Sequence, residues 1–542
     1  MTAGNSLTEQ NAPSARGRVS GLRYLRLRQQ FRQRAAELVT VAGAQAARLG
    51  SECTPRALWQ RHRLFSVLLV LALIPRILAA LAVRPAQMTS DSFLYMREAV
   101  TGKLSEIRPG GYPFFLTLFR GLPHTLLAVT TVQHLMGLLV AAIVYGLLRY
   151  RGLPGWGACL LVLPTLFDVR EISLETYILP DTLFCLVVVL ATAVLLSRRT
   201  PRPWQCAAAG LLLAYAAILR GNGLPLAIVA AAFLLIRRVG WKALAAAGLI
   251  FVIPLASYAL AFDARYHHFG LTESDGLFLW SRTTSFADCT TMKVPADLVP
   301  LCPNTETPTV PVDRAPWSVH ALLDGPTPTA YLWAPDVFWR TDARPGFNTY
   351  NNKLALRFAE HAIAADPAGY ARAVTTNVLE TFLTTDRRTG GYQMTFIHGA
   401  RIPSLPHYYA RWAQRYAGTG NTRDVQPYFY LLMLYQQPVV FTGLLFLSVL
   451  LAGLFFVLRD WRRRGGAQLL PWSMAAMSIL SPAILTQSLY RYVIVAVPLS
   501  CLGLGLGIAA ARGRAAATAP PSARPARPLA SAAPGGPASA AE

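Results

Sequence analysis

Charge is scarce in this 542-residue chain: only 14% of residues are charged, against 53% hydrophobic and a mean hydropathy of +0.36. One soluble core of this length would not bury so much apolar surface, so the reading is a polytopic membrane protein. Acids are scarcer than bases, 27 Asp+Glu against 51 Lys+Arg, which leaves a formal net charge of +24. In a soluble protein that excess would suggest nucleic acid. Here it sits in the tails and short loops, as the positive-inside rule expects of a membrane protein, and no nucleic-acid partner is expected. Lysine is nearly absent, with Lys103, Lys242, Lys293 and Lys353 alone, so the basic charge is almost all Arg. With abundant Ala and Gly, this is the composition of a GC-rich bacterial source.

Cysteine is also sparse, with seven in all. Cys159, Cys185, Cys206 and Cys501 fall in or beside apolar runs, where a small buried hydrophobe is the usual role, and Cys53 falls in the cytoplasmic tail. Cys289 and Cys302 share the outer compartment, and a disulfide between them is expected. No Cys/His cluster has zinc spacing, and no D-x-D motif is present. Metal-independent chemistry is therefore the expectation, with a divalent cation as the alternative.

The apolar runs place ten spans, at about 64–83, 124–148, 154–168, 178–196, 205–220, 222–237, 242–262, 438–458, 470–489 and 491–511. Ten spans put both termini on one side, and six Arg-rich junctions agree that this side is cytoplasmic. No secretory signal is read, since the first apolar run begins at Leu64 after an Arg-rich segment and reads as a signal anchor. The domain reading is a basic tail over 1–63, with an interfacial amphipathic helix within 21–49, and a transmembrane catalytic module over 64–262. An extracytoplasmic, mixed and mainly helical domain spans 263–427, followed by C-terminal spans over 428–511 and a disordered tail over 512–542. Within the outer domain, helical spacing runs through Asn351–Leu383, with a break expected at Asp366–Pro367.

The few acids locate the chemistry. Fifteen of the 27 lie in the outer domain, four in the tails and Asp460 in a cytoplasmic loop. The other seven are Asp91, Glu98, Glu106, Asp168, Glu171, Glu175 and Asp181, all in or beside the first two outer loops. Three cations, Arg76, Arg220 and Arg491, lie inside or at the edges of apolar spans and toward the same face. An Arg at membrane depth faces a cavity or a counterion. Two uses suit it: structural pairing with Asp91, Glu175 or Asp181, or bidentate hold on a lipid phosphate.

The first outer loop reads Met88-Thr-Ser-Asp91-Ser-Phe-Leu-Tyr95 and ends Arg108-Pro-Gly-Gly-Tyr112-Pro113. An Asp just after the first span, a Tyr four residues on and an R-P-x-G-Y-P element resemble the polyprenyl-phosphate-sugar-dependent membrane glycosyltransferases of the GT-C superfamily, which include protein O-mannosyltransferases and the lipid A aminoarabinose transferase. Leu174-Glu175-Thr-Tyr-Ile-Leu-Pro-Asp181 resembles that family's second acidic element. The span ending at Arg220, and Tyr490-Arg491-Tyr492 with Pro498, resemble two further elements in family order. The resemblance covers about residues 64–240 and 470–511. Pro180 before Asp181 and Gly110 in the first loop depart from the pattern.

The resemblance implies a GT-C-like bundle and inverting transfer of a sugar, hexosyl or pentosyl, from a polyprenyl-phosphate donor to a lipid, polysaccharide or protein acceptor in the cell envelope. Asp91 would be the general base, with helix capping as its structural alternative. Arg220 and Arg491, with Arg108 and Arg76 behind them, would hold the leaving phosphate. Tyr95 and Tyr112 would line the site, and Glu175 and Asp181 would position the acceptor or neutralise the arginines. The rival readings are a transporter or lipid flippase, and a non-catalytic envelope assembly protein. The first would show internal repeats, which are not found. The second would leave the acids and arginines of the loops scattered.

Overall fold

The computed structural model describes residues 55–303, 332–333, 337–338, 346–383, 407–419, 422–436, 443–487 and 490–518. The expected helix within 21–49 and most of the C-terminal tail lie outside the described residues. The chain divides between Val67 and Leu68 into two compact units, and all the sites described below fall within the second.

All ten expected spans are built on helices. The first is α1 (Pro55–Leu71) followed by α2 (Leu73–Ala82). The loop that follows, expected to be the first outer one, carries α3 (Ser90–Thr101) and α4 (Gly111–Thr117). Then come α5 (Thr125–Tyr150), α6 (Gly155–Phe167), the short α7 (Val169–Thr176), α8 (Asp181–Leu196), α9 (Pro203–Leu219), α10 (Gly223–Ile236) and α11 (Trp241–Tyr266). The segment 263–427, expected to form the outer domain, contributes α12 (Asp275–Thr283), α13 (Thr349–Ala365), α14 (Pro367–Leu383) and α15 (His407–Ala417). The chain closes with α16 (Tyr428–Tyr435), α17 (Gly443–Arg459), α18 (Leu469–Leu485), the single turn α19 (Tyr490–Val493) and α20 (Ala496–Thr518). Among the described residues the only sheet is an antiparallel pair, β1 (Val83–Arg84) with β2 (Arg423–Asp424).

Four helical stretches, Trp59–Ala82, Thr125–Tyr150, Trp241–Tyr266 and Ala496–Ala515, are long and apolar enough to cross a membrane, and six shorter apolar helices accompany them. This is a multi-pass, all-helical membrane protein. The shorter helices fall below the roughly 20 residues that a straight span needs. Large apolar side chains remain exposed on the outside of the bundle, as on Ile74, Leu139, Trp241, Leu249 and Leu260, where lipid rather than protein is the solvent. The interior is closed by α5 against α8, α9 against α8 and α11, and α18 and α17 against α20.

The expected break at Asp366–Pro367 separates α13 from α14, because Pro367 has no N–H to continue the ladder. The outer domain has its own core, in which Leu277, Trp280, Phe286, Leu301 and Phe358 are buried together. Cys289 and Cys302 form the expected disulfide beside that core. Cys159, Cys185, Cys206 and Cys501 are free and buried, in keeping with their apolar setting.

Candidate active site

Helix α3 sets the position of Asp91. Its N-terminus is closed by Ser92, whose Oγ accepts from the Thr89 amide at 2.9 Å. Its C-terminus ends on Gly102 in the left-handed region (φ 67°), which glycine adopts without a Cβ clash. Because Ser92 serves the cap, the Asp91 carboxylate is left for other partners. Arg108 Nε and Nη2 both donate to Asp91 Oδ1 at 3.2 Å, and Arg491 Nη2 donates to Oδ2 at 3.0 Å. The helix-cap alternative for Asp91 therefore does not hold. Burial raises this carboxyl's pKa, but the two guanidiniums outweigh it and hold the group at about 2.

A second ion pair stands beside the first. Asp181 opens α8, and Arg220 caps the C-terminus of α9 and donates to Asp181 Oδ1. Asp181 Oδ2 has no hydrogen-bond partner among the described residues. Tyr492 joins the two pairs: the Arg220 guanidinium lies 4.4 Å from its ring centroid and that of Arg491 5.1 Å, while its hydroxyl accepts from Arg491 Nη2 at 3.2 Å. Arg108 rests on Phe278 of α12, 5.1 Å from the ring centroid.

These groups surround a cavity of about 590 Å3. Arg108, Asp181, Arg220, Arg491, Tyr95 and Tyr492 supply its polar and aromatic wall, and Leu219, Leu224, Ile228 and Leu485 its apolar side. Asp91 stands directly behind Arg108 and Arg491 rather than in the wall. The outer domain closes the cavity through residues 270–278. That segment is knitted to the first loop: the Glu273 amide donates to the Glu106 carbonyl at 2.7 Å, and Ser274 Oγ to that of Ile107 at 3.1 Å.

The remaining expected site residues separate into those that support the wall and those that stand apart. Tyr112 does not line the cavity. It packs edge-on against Tyr95, centroids 5.2 Å apart, and its hydroxyl donates to Gln133 Oε1 at 2.8 Å. Gln133 Nε2 in turn donates to the carbonyls of Glu175 and Tyr177, at 2.9 and 2.8 Å, which holds the segment leading into Asp181. Arg76 and Glu175 also lie outside the cavity wall. Arg76 Nη2 donates to Glu175 Oε1 at 2.8 Å and Nη1 to the Leu166 carbonyl at 2.7 Å, while His134 Nδ1 lies 2.7 Å from Glu175 Oε2. The structure thus places Arg76 in a buried pair with Glu175, and the expectation that it backs the phosphate-holding arginines is corrected to that extent. A buried guanidinium at membrane depth takes the nearest carboxylate, and Glu175 is nearer than the cavity.

Sequence reading missed four contributors. Tyr492 was only part of a motif, His134 and Gln133 lie mid-span with no local signal, and the 270–278 segment has no motif at all. The mainly apolar helix around Gln133 and His134 was the one available clue, since polar groups there need partners.

Among the described residues no group of three or more His, Cys, Asp or Glu is arranged to hold a metal ion. No family model and no curated protein matches the chain. Two solved structures resemble it in outline. One is the S. cerevisiae protein O-mannosyltransferase Pmt1-Pmt2 complex bound to the sugar donor, at 16% identity and TM-score 0.31, covering 46% of this chain and 39% of that one. The other is ArnT from Cupriavidus metallidurans bound to undecaprenyl phosphate, at 14% identity and TM-score 0.32, covering 83% and 78%. The chain thus spans well under half the length of the first. At such scores the assignment of the site is left to its own geometry.

Proposed function

We propose that this chain is a membrane glycosyltransferase that moves a sugar from a polyprenyl-phosphate donor to an acceptor outside the cytoplasmic membrane, with inversion at the anomeric carbon. The observation that carries this reading is the convergence of Arg108, Arg220 and Arg491 on one cavity that also has an apolar side. Three guanidiniums in planar, bidentate-capable geometry suit a phosphate, and the apolar side suits the first isoprene units of a lipid. A scaffold would not require residues from four distant segments to meet in this way.

In the reaction the acceptor oxygen forms a bond to the anomeric carbon while the bond from that carbon to the phosphate oxygen breaks. The proton leaves the acceptor hydroxyl for Asp91, and the polyprenyl phosphate departs with the negative charge, facing the arginines. At rest Asp91 is a weak base because Arg108 and Arg491 neutralise it. A donor phosphate competes for the same guanidiniums, and each one it draws away raises the basicity of Asp91. Donor binding would thereby activate the base. Asp181, with one oxygen on Arg220 and the other unshared among the described residues, would orient the acceptor hydroxyl. The arginines supply the charge stabilisation, so the proposed chemistry is metal-independent. Sugar and acceptor identity rest with the outer domain's face on the cavity.

The test is release of free polyprenyl phosphate from purified protein in lipid, offered a panel of polyprenyl-phosphate sugars with a membrane extract as acceptor. Turnover with one donor, reduced about 100-fold or more in Asp91→Asn at unchanged melting temperature, is expected. Turnover untouched by Asp91→Asn removes the base; no turnover with any donor and acceptor extract removes the reading.

A further inference from the structure

A second cavity, of about 610 Å3, lies at the other end of the same bundle. Helix α8 runs between the two: Asp181 at its start lines the first, and Leu195 and Leu196 at its end line the second. Sixteen residues at 1.5 Å each put the two about 24 Å apart. The wall of the second cavity is made where α5, α8, α10 and α20 end and where the chain turns from α17 to α18.

Its charge is almost all of one sign. Arg151, Arg198, Arg199, Arg237, Arg463 and Arg514 line it, and Asp460 is the only acid in its wall. That acid is already engaged: Arg514 Nη1 reaches Asp460 Oδ1 at 3.0 Å, and Gln468 Nε2 donates to Oδ2 at 2.8 Å. Among the described residues, Arg198, Arg199, Arg237 and Arg463 meet no carboxylate. Arg151 donates to the Leu196 carbonyl, and its buried Nε has no partner among the described residues. Leu195, Leu196 and Phe233 supply an apolar floor beside this cationic rim.

The positive-inside rule accounts for arginines scattered along loops of one face. It does not require five of them, unneutralised, to converge on one concave site from four separate connections. Like charges gathered in a partly buried cavity repel unless an anion is supplied.

We propose that this second cavity binds a phosphate-ester anion, independently of the donor site, through Arg151, Arg198, Arg199, Arg237 and Arg463. Planar guanidiniums match phosphate oxygens two at a time, and basic pockets between membrane helices take acidic headgroups in this manner. An acidic phospholipid would set its phosphodiester among the arginines with its chains over Leu195, Leu196 and Phe233; a soluble phosphate ester would use the arginines alone. Burial lowers the Arg151 pKa and the neighbouring Arg199 and Arg237 add to it, so an anion among these groups would be held by all three.

The experiment uses the full chain, purified and stripped of lipid, with its melting followed during titration by short-chain phosphatidylglycerol, phosphatidylcholine or inorganic phosphate. Three proteins are compared: wild type, the Arg198→Gln/Arg199→Gln/Arg237→Gln variant, and a charge-matched control, Arg459→Gln/Arg462→Gln/Arg512→Gln, outside the cavity. Phosphatidylglycerol is expected to raise the wild-type midpoint and phosphatidylcholine not to. The triple variant should need about tenfold more of it or greater, and the control should match wild type. A rise with inorganic phosphate but not with the lipid, lost in the triple variant alone, assigns the site to a soluble phosphate ester. Equal response of all three proteins, an equal loss in the control, or no response to either anion overturns the proposal. Arg198 and Arg199 are exposed and Arg237 is half-buried; should the triple variant melt below wild type without ligand, Arg199→Gln serves, with a shift of about fivefold expected.

Discussion

Glu98 shows what a single buried carboxyl does to this protein. It is 3% exposed, and burial pushes its pKa up to about 8 from an ordinary 4.5. Folding therefore favours its protonated form. The stability associated with it is full below pH 4.5, where both states hold the proton, and is lost as pH rises through 8. Glu98→Gln removes this dependence, and its unfolding free energy should exceed wild type by a margin that grows between about pH 5 and pH 8, reaching a few kcal/mol, read from denaturant melting. A constant difference across that range would show that Glu98 does not titrate in the folded protein.

The arginines of the donor cavity predict a different kinetic pattern. Arg220 bonds Asp181 and stacks on Tyr492, so Arg220→Lys keeps the charge but loses the planar contacts. It should raise the donor KM by about tenfold with a smaller fall in kcat, read from initial rates against donor concentration. Equal falls in kcat and kcat/KM would instead place Arg220 in the transition state alone.

At the scale of the element, close approach governs where helices can sit. Gly137 of α5 faces Glu175: a Cβ built there would fall 1.7 Å from Glu175 Oε1 and 3.3 Å from Arg76 Nη2. Gly137→Ala therefore displaces the buried carboxylate that Arg76 and His134 share. The cost should be about 3 kcal/mol or more, because an uncompensated buried charge is left, and it is measured by thermal or denaturant melting in detergent. In the outer domain the Cys289–Cys302 disulfide closes a short loop, separation 13, against the domain core. Replacing both with Ser should lower the domain's stability by about 3 kcal/mol, seen as earlier proteolysis of residues 263–427 while the spanning helices stay protected.

The second compact unit, Leu68–Glu542, carries one polar cavity at each end of α8. The donor cavity has carboxylates interleaved with arginines, and the second cavity is almost purely cationic. That asymmetry fits an inner face toward anionic lipid and an outer face for chemistry. Reporter fusions after Arg151 and Arg464 should read cytoplasmic, and fusions within the 263–427 domain external. Removal of divalent ions by chelation should leave turnover unchanged, since guanidiniums supply the charge that a metal would.

Composition and the apolar period were enough to determine a multi-pass helical chain, the positions of its apolar helices, the split at Asp366–Pro367 and the pairing of two cysteines. Each depends on local chemistry or on compartment, and neighbours do not alter it. Asp91, Arg108, Arg220, Arg491, Asp181 and Tyr95 were also legible as candidates, because charged groups beside lipid-facing runs are too unfavourable to be incidental. Which charge meets which was not legible. Arg76 with Glu175, Arg220 with Asp181, and Asp91 shared between Arg108 and Arg491 are contacts between residues 17 to 400 positions apart. The crossing of the helices sets those distances, and spacing along the chain does not encode it. The same holds for Tyr492 between two guanidiniums, for the outer-domain wall of the cavity, and for the second cavity, whose arginines read singly as loop charges. They form a site because several helix ends meet at one depth in the bundle.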